Sequence, residues 1–251
     1  VVDGSGSMRN ADVINAEGER VTRASAVLGL LTQNFVRTQI DAGVVPSERV
    51  SLIKVQGAVA MRALPFALFP LDHGLSDRIA VSLGEPSSHG PYLPALGLLA
   101  KLVELSAPYL LPRAKTNVLF LSDGRPSDRV DARELPKRLR EALAKVHAAF
   151  ATTHTFLEGF QLLGFGEADE GILKMMATMV PGNVATFNVG SGATSYRALE
   201  QSVSTFSSSV AVSRISSVSH TGGSKHRTLR AIQTSIHQRF ARYRWVAIRC
   251  R

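Results

Sequence analysis

Short apolar runs alternate with longer amphipathic segments along most of the chain. Residues 118–121 are apolar at consecutive positions, which is typical of a strand buried on both faces. Between Glu19 and Ile40 the apolar residues recur every three or four positions instead, which predicts a long first helix. We expect further strands at 50–55, 155–163 and 184–188, and further helices at 71–83, 92–106, 131–149, 169–179 and 194–211.

This alternation predicts a mostly parallel sheet with helices on both of its faces. Residues 58–63 follow the strand at 50–55 through Gly57, so we expect an antiparallel hairpin partner at one edge of the sheet. The predicted fold is a three-layer α/β/α sandwich of Rossmann-like type. Residues 9–18 are polar and are expected to remain loop.

Composition excludes several classes of protein. The chain has 251 residues, of which 45% are hydrophobic and 20% charged, as in a globular domain rather than a disordered segment. No apolar run approaches the roughly 20 residues of a membrane-spanning helix. The single cysteine, Cys250, excludes an intramolecular disulfide and favours an intracellular, cytoplasmic setting. The opening residues Val1-Val2-Asp3 indicate the end of a strand, so we expect a fragment of a longer protein.

The net charge of +9 is concentrated near the C-terminus. Residues 218–251 contain eight Lys and Arg residues and no Asp or Glu, which leaves about +1 for residues 1–217. We therefore divide the chain into a domain, 1–217, and a basic tail, 218–251. The tail is interpreted as a nucleic-acid or acidic-lipid contact using Tyr243 and Trp245, as the start of a following domain, or as a linker. Nucleic-acid binding is expected only through this tail.

Two loops that follow predicted strands carry oxygen side chains. Asp3, Ser5 and Ser7 alternate with glycines, which let the backbone curve around one point, and Asp123 follows the strand at 117–121. Because parallel strands end on the same side of a sheet, the two loops are expected to meet. Oxygen ligands suit a hard cation such as Mg²⁺, Mn²⁺ or Ca²⁺. Two carboxylates and two hydroxyls leave positions for water and for a carboxylate of a partner.

These motifs resemble the von Willebrand factor type A (VWA) domain, also called the integrin I-type domain. The resemblance rests on Asp3-Gly4-Ser5-Gly6-Ser7 after the first strand and on Leu119-Phe120-Leu121-Ser122-Asp123-Gly124 after the fourth. Gly164-Phe165-Gly166 is similar to the end of the family's fifth strand, so the resemblance spans residues 1 to about 212. It implies a metal-ion-dependent adhesion site, a role in protein–protein contacts and no enzymatic activity.

One position departs from the family pattern. The family supplies a threonine ligand from the loop before the third helix, and here that position falls on Gly90, or on Tyr92 after a small shift. Neither residue provides that hydroxyl, so Ser88 or a water molecule is the expected substitute. Weak or absent metal binding is therefore one expectation. Arg125, two residues after Asp123, is a candidate contact for an acidic partner.

The resulting hypothesis is a protein–protein interaction module that binds an exposed Asp or Glu of its partner through a divalent cation. The alternative is a regulatory or scaffold VWA domain of a larger enzyme, of the kinase or ubiquitin ligase type, with a degenerate, metal-free site. Serine hydrolase chemistry is disfavoured because the surroundings of Ser5 lack the Gly-x-Ser-x-Gly elbow.

Overall fold

The structure is a computed structural model of the chain. It describes residues 1–15, 17–41, 49–57, 69–70, 74–107, 114–165, 170–189, 196–197, 199–207 and 243–245. The strands are β1 (Val2–Asp3), β2 (Val13–Ile14), β3 (Arg20–Val21), β4 (Arg49–Val50), β5 (Lys54–Val55), β6 (Phe69–Pro70), β7 (Lys115–Ser122), β8 (Phe156–Gly164), β9 (Ala185–Val189) and β10 (Tyr243–Trp245).

The helices are α1 (Arg23–Gly29), α2 (Thr38–Asp41), α3 (Leu75–Leu83), α4 (Tyr92–Ser106), α5 (Leu135–Thr152) and α6 (Glu170–Met179). A last helical segment at 199–207 is named α7. A π-helical stretch, Leu30–Arg37, joins α1 to α2, so the predicted first helix is continuous from Arg23 to Asp41. Within the described ranges, no helix has both the length and the apolar character needed to cross a bilayer.

Eight of the described strands form one sheet. β1 lies between β5 and β7, and β7, β8 and β9 follow one another, with every one of these pairs parallel. β10 lies between β4 and β7 and is parallel to both. β6 lies at the edge and is antiparallel to β4. The predicted mostly parallel sheet with an antiparallel edge strand is therefore confirmed.

Some local predictions need correction. Val13–Ile14 pairs with Arg20–Val21 in a separate two-stranded sheet, so residues 9–18 are not simply loop. The described antiparallel partner of β4 is Phe69–Pro70, whereas the predicted partner, 58–63, lies outside the described residues. Except for β10, the basic tail also lies outside them.

The sheet separates two hydrophobic cores, which gives the three predicted layers. Val118 and Phe120 of β7 point to one face, where residues of α4, α5 and α6 pack on them. Leu119 and Leu121 point to the other face, where residues of α1, α3 and α7 pack. Because successive residues of a strand face opposite sides, a strand covered on both faces must be apolar at every position.

The same topology brings three loops to one end of the sheet. Residues 4–9 follow β1, residues 123–131 follow β7, and residues 84–91 precede α4. Backbone hydrogen bonds join the first loop to the third, from Ser87 N to Gly4 O (2.9 Å) and from Gly6 N to Ser88 O (3.0 Å). The carboxyl ends of β1 and β7 thus form one surface, as the sequence predicts.

Two phenylalanines on neighbouring strands test this layered packing. Phe120 is fully buried and its ring meets that of Tyr92 edge-on at a centroid distance of 5.0 Å, whereas Phe156 is 55% exposed. We expect Phe120→Ala to lower the free energy of unfolding by about 3–5 kcal/mol. Phe156→Ala is expected to lower it by less than about 1 kcal/mol. Urea unfolding measures both, and equal losses would contradict the assignment of the core.

Candidate functional site

Asp3 joins the first loop to the loop that follows β7. It is buried, and Ser5 N donates to its Oδ1 (2.8 Å) while Ser122 Oγ donates to its Oδ2 (2.6 Å). One carboxylate oxygen therefore accepts a hydrogen bond from the loop after β1, and the other accepts one from the last residue of β7. The ends of β1 and β7 thus meet, and Asp123, the residue after Ser122, is near enough for its charge to raise the pKa of Asp3.

Ser5 and Ser7 lie together beside Asp3. Their Oγ atoms are 2.9 Å apart, and the chain between them enters a short 3-10 helix, Gly6–Arg9. Met8, in that helix, is buried among the residues of the core formed by α1, α3 and α7 and so anchors the turn. The alternating serines thus place two hydroxyl oxygens at one point, as their spacing predicts.

Gly90 lies where the family's threonine is expected. A Cβ built on Gly90 would lie 3.0 Å from Asp3 Oδ1 and 3.1 Å from Ser5 Cβ, so this position faces the carboxylate and the first serine directly. Even a Cβ would be in tight contact there, so Gly90 already packs closely against Asp3 and Ser5. Ser88, the predicted substitute, is exposed with a left-handed backbone (φ 62°), and its carbonyl accepts from Gly6 N. Ser88 as a ligand stays a prediction.

Asp123 is fully buried, and an arginine that the sequence analysis did not select binds it. Arg23 Nη1 donates to Asp123 Oδ2 (2.9 Å), and Arg125 N donates to Asp123 Oδ1 (3.1 Å). Arg23 is only 1% exposed and also binds Asp12, through Nε (2.9 and 3.1 Å) and through Nη2. Part of the acceptor capacity expected to serve a cation is therefore used by a guanidinium.

A signal for Arg23 was present in the sequence. Arg23 lies four residues before Val27 and seven before Leu30, at the spacing that marks the buried face of a helix. An arginine at such a position must meet carboxylates or carbonyls inside the protein, because an unpaired buried charge is very costly.

Tyr92 supports the site from the interior of the protein. Its ring is fully buried and its hydroxyl is hydrogen-bonded to Ser122 Oγ, which in turn donates to Asp3. Burial raises the pKa of Tyr92 well above its usual range, so its hydroxyl keeps its proton. Tyr92 therefore holds Ser122 in place rather than supplying the missing ligand.

Asp128 fixes the loop after β7 to the start of α4. Its Oδ2 accepts from Tyr92 N (2.8 Å) and its Oδ1 accepts from Leu93 N (2.9 Å), so it caps a helix whose own preceding residue is Pro91. Ser127 N also donates to Gly90 O (3.3 Å). The position of Gly90 beside Asp3 is thus set by residues far away in sequence.

The electrostatics of the site favour a positive ligand. Burial raises the pKa of Asp3 to about 6, the charge of Asp123 adds to the rise, and the hydrogen bonds from Ser122 and Ser5 oppose it. Arg23 lowers the pKa of Asp12. At neutral pH, Asp3 is therefore ionised in a buried place that a nearby cation would stabilise.

The residues present fit a hard divalent cation. Among the described residues, no three or more His, Cys, Asp or Glu side chains cluster as a metal site. The donors here are instead two carboxylates and the paired hydroxyls of Ser5 and Ser7, which is the all-oxygen chemistry of Mg²⁺ or Ca²⁺.

Arg125 lies at the rim of this site. Its side chain is exposed, and its charge contributes to lowering the pKa of Asp12. A contact between Arg125 and an acidic partner stays a prediction.

Neither the protein-family models nor the curated proteins compared with this chain gave a match. The likeness to the VWA family therefore depends on the two loop motifs and their positions.

The pKa of Asp3 predicts how stability depends on pH in the absence of divalent cations. Between its ordinary pKa of 3.8 and the folded value of about 6, the folded protein binds one proton more at this group than the unfolded chain does. The free energy of unfolding should therefore fall by about 2 kcal/mol from Asp3 alone as the pH rises from about 4 to about 6, and level off near pH 7.

Asp3→Asn removes this titration and isolates the effect. We expect the stability of the wild-type chain relative to Asp3→Asn to decrease over that pH interval and to stay level above it. Urea unfolding in EDTA at pH 4, 6 and 7.5 measures the difference. A difference that is independent of pH would show that Asp3 is not the buried carboxylate described above.

Proposed function

We propose that this chain is a protein–protein interaction module of the VWA type that captures an Asp or Glu side chain of a partner protein through a divalent cation, Mg²⁺ first and Mn²⁺ or Ca²⁺ as alternatives. The observation that carries the proposal is the cluster of Asp3, Ser5 and Ser7 at the carboxyl end of the sheet. No catalytic role is assigned.

In this proposal the two serines hold the ion directly. Ser5 and Ser7 present their hydroxyl oxygens, and Asp3 supplies the negative charge that the cation neutralises. Asp123 acts through water, because its Oδ2 is bound to Arg23. The bound cation offers an open position, which the partner's carboxylate completes.

A binding role is also supported by how the hydroxyls are used. Ser5 and Ser7 hydrogen-bond to each other, and Asp3 accepts from Ser5 N and Ser122. Nucleophilic catalysis requires a base within hydrogen-bonding reach of the serine, oriented by a third group. The hydroxyls of Ser5 and Ser7 are instead paired with each other, 2.9 Å apart.

The second candidate function is a metal-free regulatory or scaffold domain of a larger enzyme. The buried ion pair between Arg23 and Asp123 favours it, because a guanidinium already compensates one of the two carboxylates without any metal. The two candidates differ in whether a divalent cation binds at Asp3.

Calorimetric titration of Mg²⁺ and Mn²⁺ tests the proposal. We expect binding to the wild-type chain and a loss of at least about tenfold in affinity for Asp3→Ala, because the main charge facing the ion is removed. Asp77→Ala is the matched control, since Asp77 is an exposed aspartate in the first turn of α3. Absence of binding to the wild-type chain would remove the cation mechanism and leave the scaffold function.

Gly90→Thr tests the same site by a gain of affinity. Gly90 does not have a left-handed backbone, but a threonine Cβ would lie 3.0 Å from Asp3 Oδ1 and 3.1 Å from Ser5 Cβ, so these two neighbours must shift by a few tenths of an ångström. The added hydroxyl should tighten Mg²⁺ binding by roughly tenfold, as one more oxygen ligand.

Gly90→Val is the control for this gain, because valine fills the same volume without a hydroxyl. We expect Gly90→Val to bind Mg²⁺ no better than the wild-type chain. Equal affinities for the threonine and valine variants would show that position 90 does not face the cation.

A further inference from the structure

Arg23 occupies an unusual place for an arginine. It lies in the first turn of α1, and its guanidinium is held between Asp12 on one side and Asp123 on the other. Asp12 receives hydrogen bonds from Nε and Nη2, while Asp123 receives one from Nη1 (2.9 Å). Arg23 and Asp123 are 1% and 0% exposed, so water contributes little to screening this pair.

Arg23 brings a positive charge to the place where the proposed cation would need a negative one. Asp123 and Asp3 are both buried and close enough for the charge of one to affect the other. A cation near Asp3 is attracted by Asp123 and repelled by the guanidinium bound to it. In a buried site such a repulsion remains strong.

Asp12 moderates the charge of Arg23. It accepts hydrogen bonds at both of its oxygens from the guanidinium, and its side chain is 28% exposed. Its negative charge partly cancels that of Arg23 as felt by the rest of the site. Removing Asp12 would therefore make the guanidinium more repulsive to a cation, and removing both residues would free Asp123 for the cation.

We infer that Arg23 is a built-in counter-ion of Asp123 that competes with the divalent cation, so that Arg23 and Asp12 together set the affinity of the site for metal. This inference rests on the proposed function of the site. It assigns Arg23 a positioning and tuning role, not contact with the partner, from which burial separates it. The inference also explains why the charge of Asp123 is already compensated in the absence of a metal ion.

Two variants with opposite expected signs test this inference by calorimetric titration of Mg²⁺ into the full chain. Asp12→Asn should weaken Mg²⁺ binding several-fold, because the charge of Arg23 is then less compensated. The double variant Arg23→Gln with Asp12→Asn should bind Mg²⁺ about tenfold more tightly than the wild-type chain, because Asp123 loses its competing cation. A purely structural role of Arg23 predicts weaker binding in both variants.

A matched pair of charges on the same helical segment provides the control. Arg37 and Asp41 form an exposed ion pair with N and O atoms 3.8 Å apart, fourteen or more residues along from Arg23. The double variant Arg37→Gln with Asp41→Asn removes the same charges as the test variant. Its Mg²⁺ affinity should equal that of the wild-type chain.

A thermal readout accompanies the titrations. The melting temperature should rise more on adding Mg²⁺ in the Arg23→Gln, Asp12→Asn variant than in the wild-type chain, because tighter binding to the folded state stabilises it more. If the double variant does not fold, Asp12→Asn can still overturn the inference, since Asp12 is partly exposed. Unchanged or tighter Mg²⁺ binding by Asp12→Asn overturns the inference.

The outcomes separate this inference from the proposed function. If the wild-type chain binds no Mg²⁺ but the Arg23→Gln, Asp12→Asn variant does, Arg23 is the competing counter-ion and the cation mechanism of the natural chain is wrong. If the wild-type chain binds Mg²⁺ and the variants do not follow the expected order, the proposed function stands and the inference fails. If no variant binds, both fail.

Discussion

The burial of two carboxylates at one end of the sheet is the constraint on which the rest of the site depends. Asp3 ends β1 and Asp123 directly follows β7, and the apolar residues of both strands must lie inside, so the fold carries both charges into the interior. Each must then find donors or cations, because an uncompensated buried charge is costly. Ser5 N and Ser122 Oγ donate hydrogen bonds to Asp3, and Arg23 forms an ion pair with Asp123. The surrounding loops and α1 supply these donors and this cation.

Much of the fold could be predicted because its signals are local. Consecutive apolar residues mark β7 as a strand buried on both faces, and apolar residues spaced by three and four mark the buried face of α1. The helix α4 lies at the predicted 92–106. The short pairing of Val13–Ile14 with Arg20–Val21 was missed because two-residue strands carry no periodicity. The predicted hairpin partner, 58–63, lies outside the described residues and stays a prediction. The pairing of β4 with Phe69–Pro70 was missed because it depends on contacts that spacing does not encode.

The site was predicted in part for the same reason. Asp3, Ser5 and Ser7 form a local motif, and the sheet topology brings Ser122 and Asp123 to it. Arg23 and Tyr92 were not selected as supporting residues, because their roles depend on partners about 100 and 30 residues away in sequence. A charged or hydroxyl-bearing residue at a core position of a helix is the signal that would have identified both. The role of Asp128 as a cap was hidden likewise, because the helix that it caps precedes it in the chain.

The hydrogen bonds between the three loops have a consequence for the entropy of binding. Gly4 is joined to Ser87, Gly6 to Ser88, and Ser127 to Gly90, all through the backbone, so the side chains that surround the site start from positions fixed by main-chain contacts. Conformational freedom lost on association is a large part of the cost of binding. A loop cluster that is already ordered gives up little of that freedom, so under the proposed function even a small number of contacts would hold a partner there.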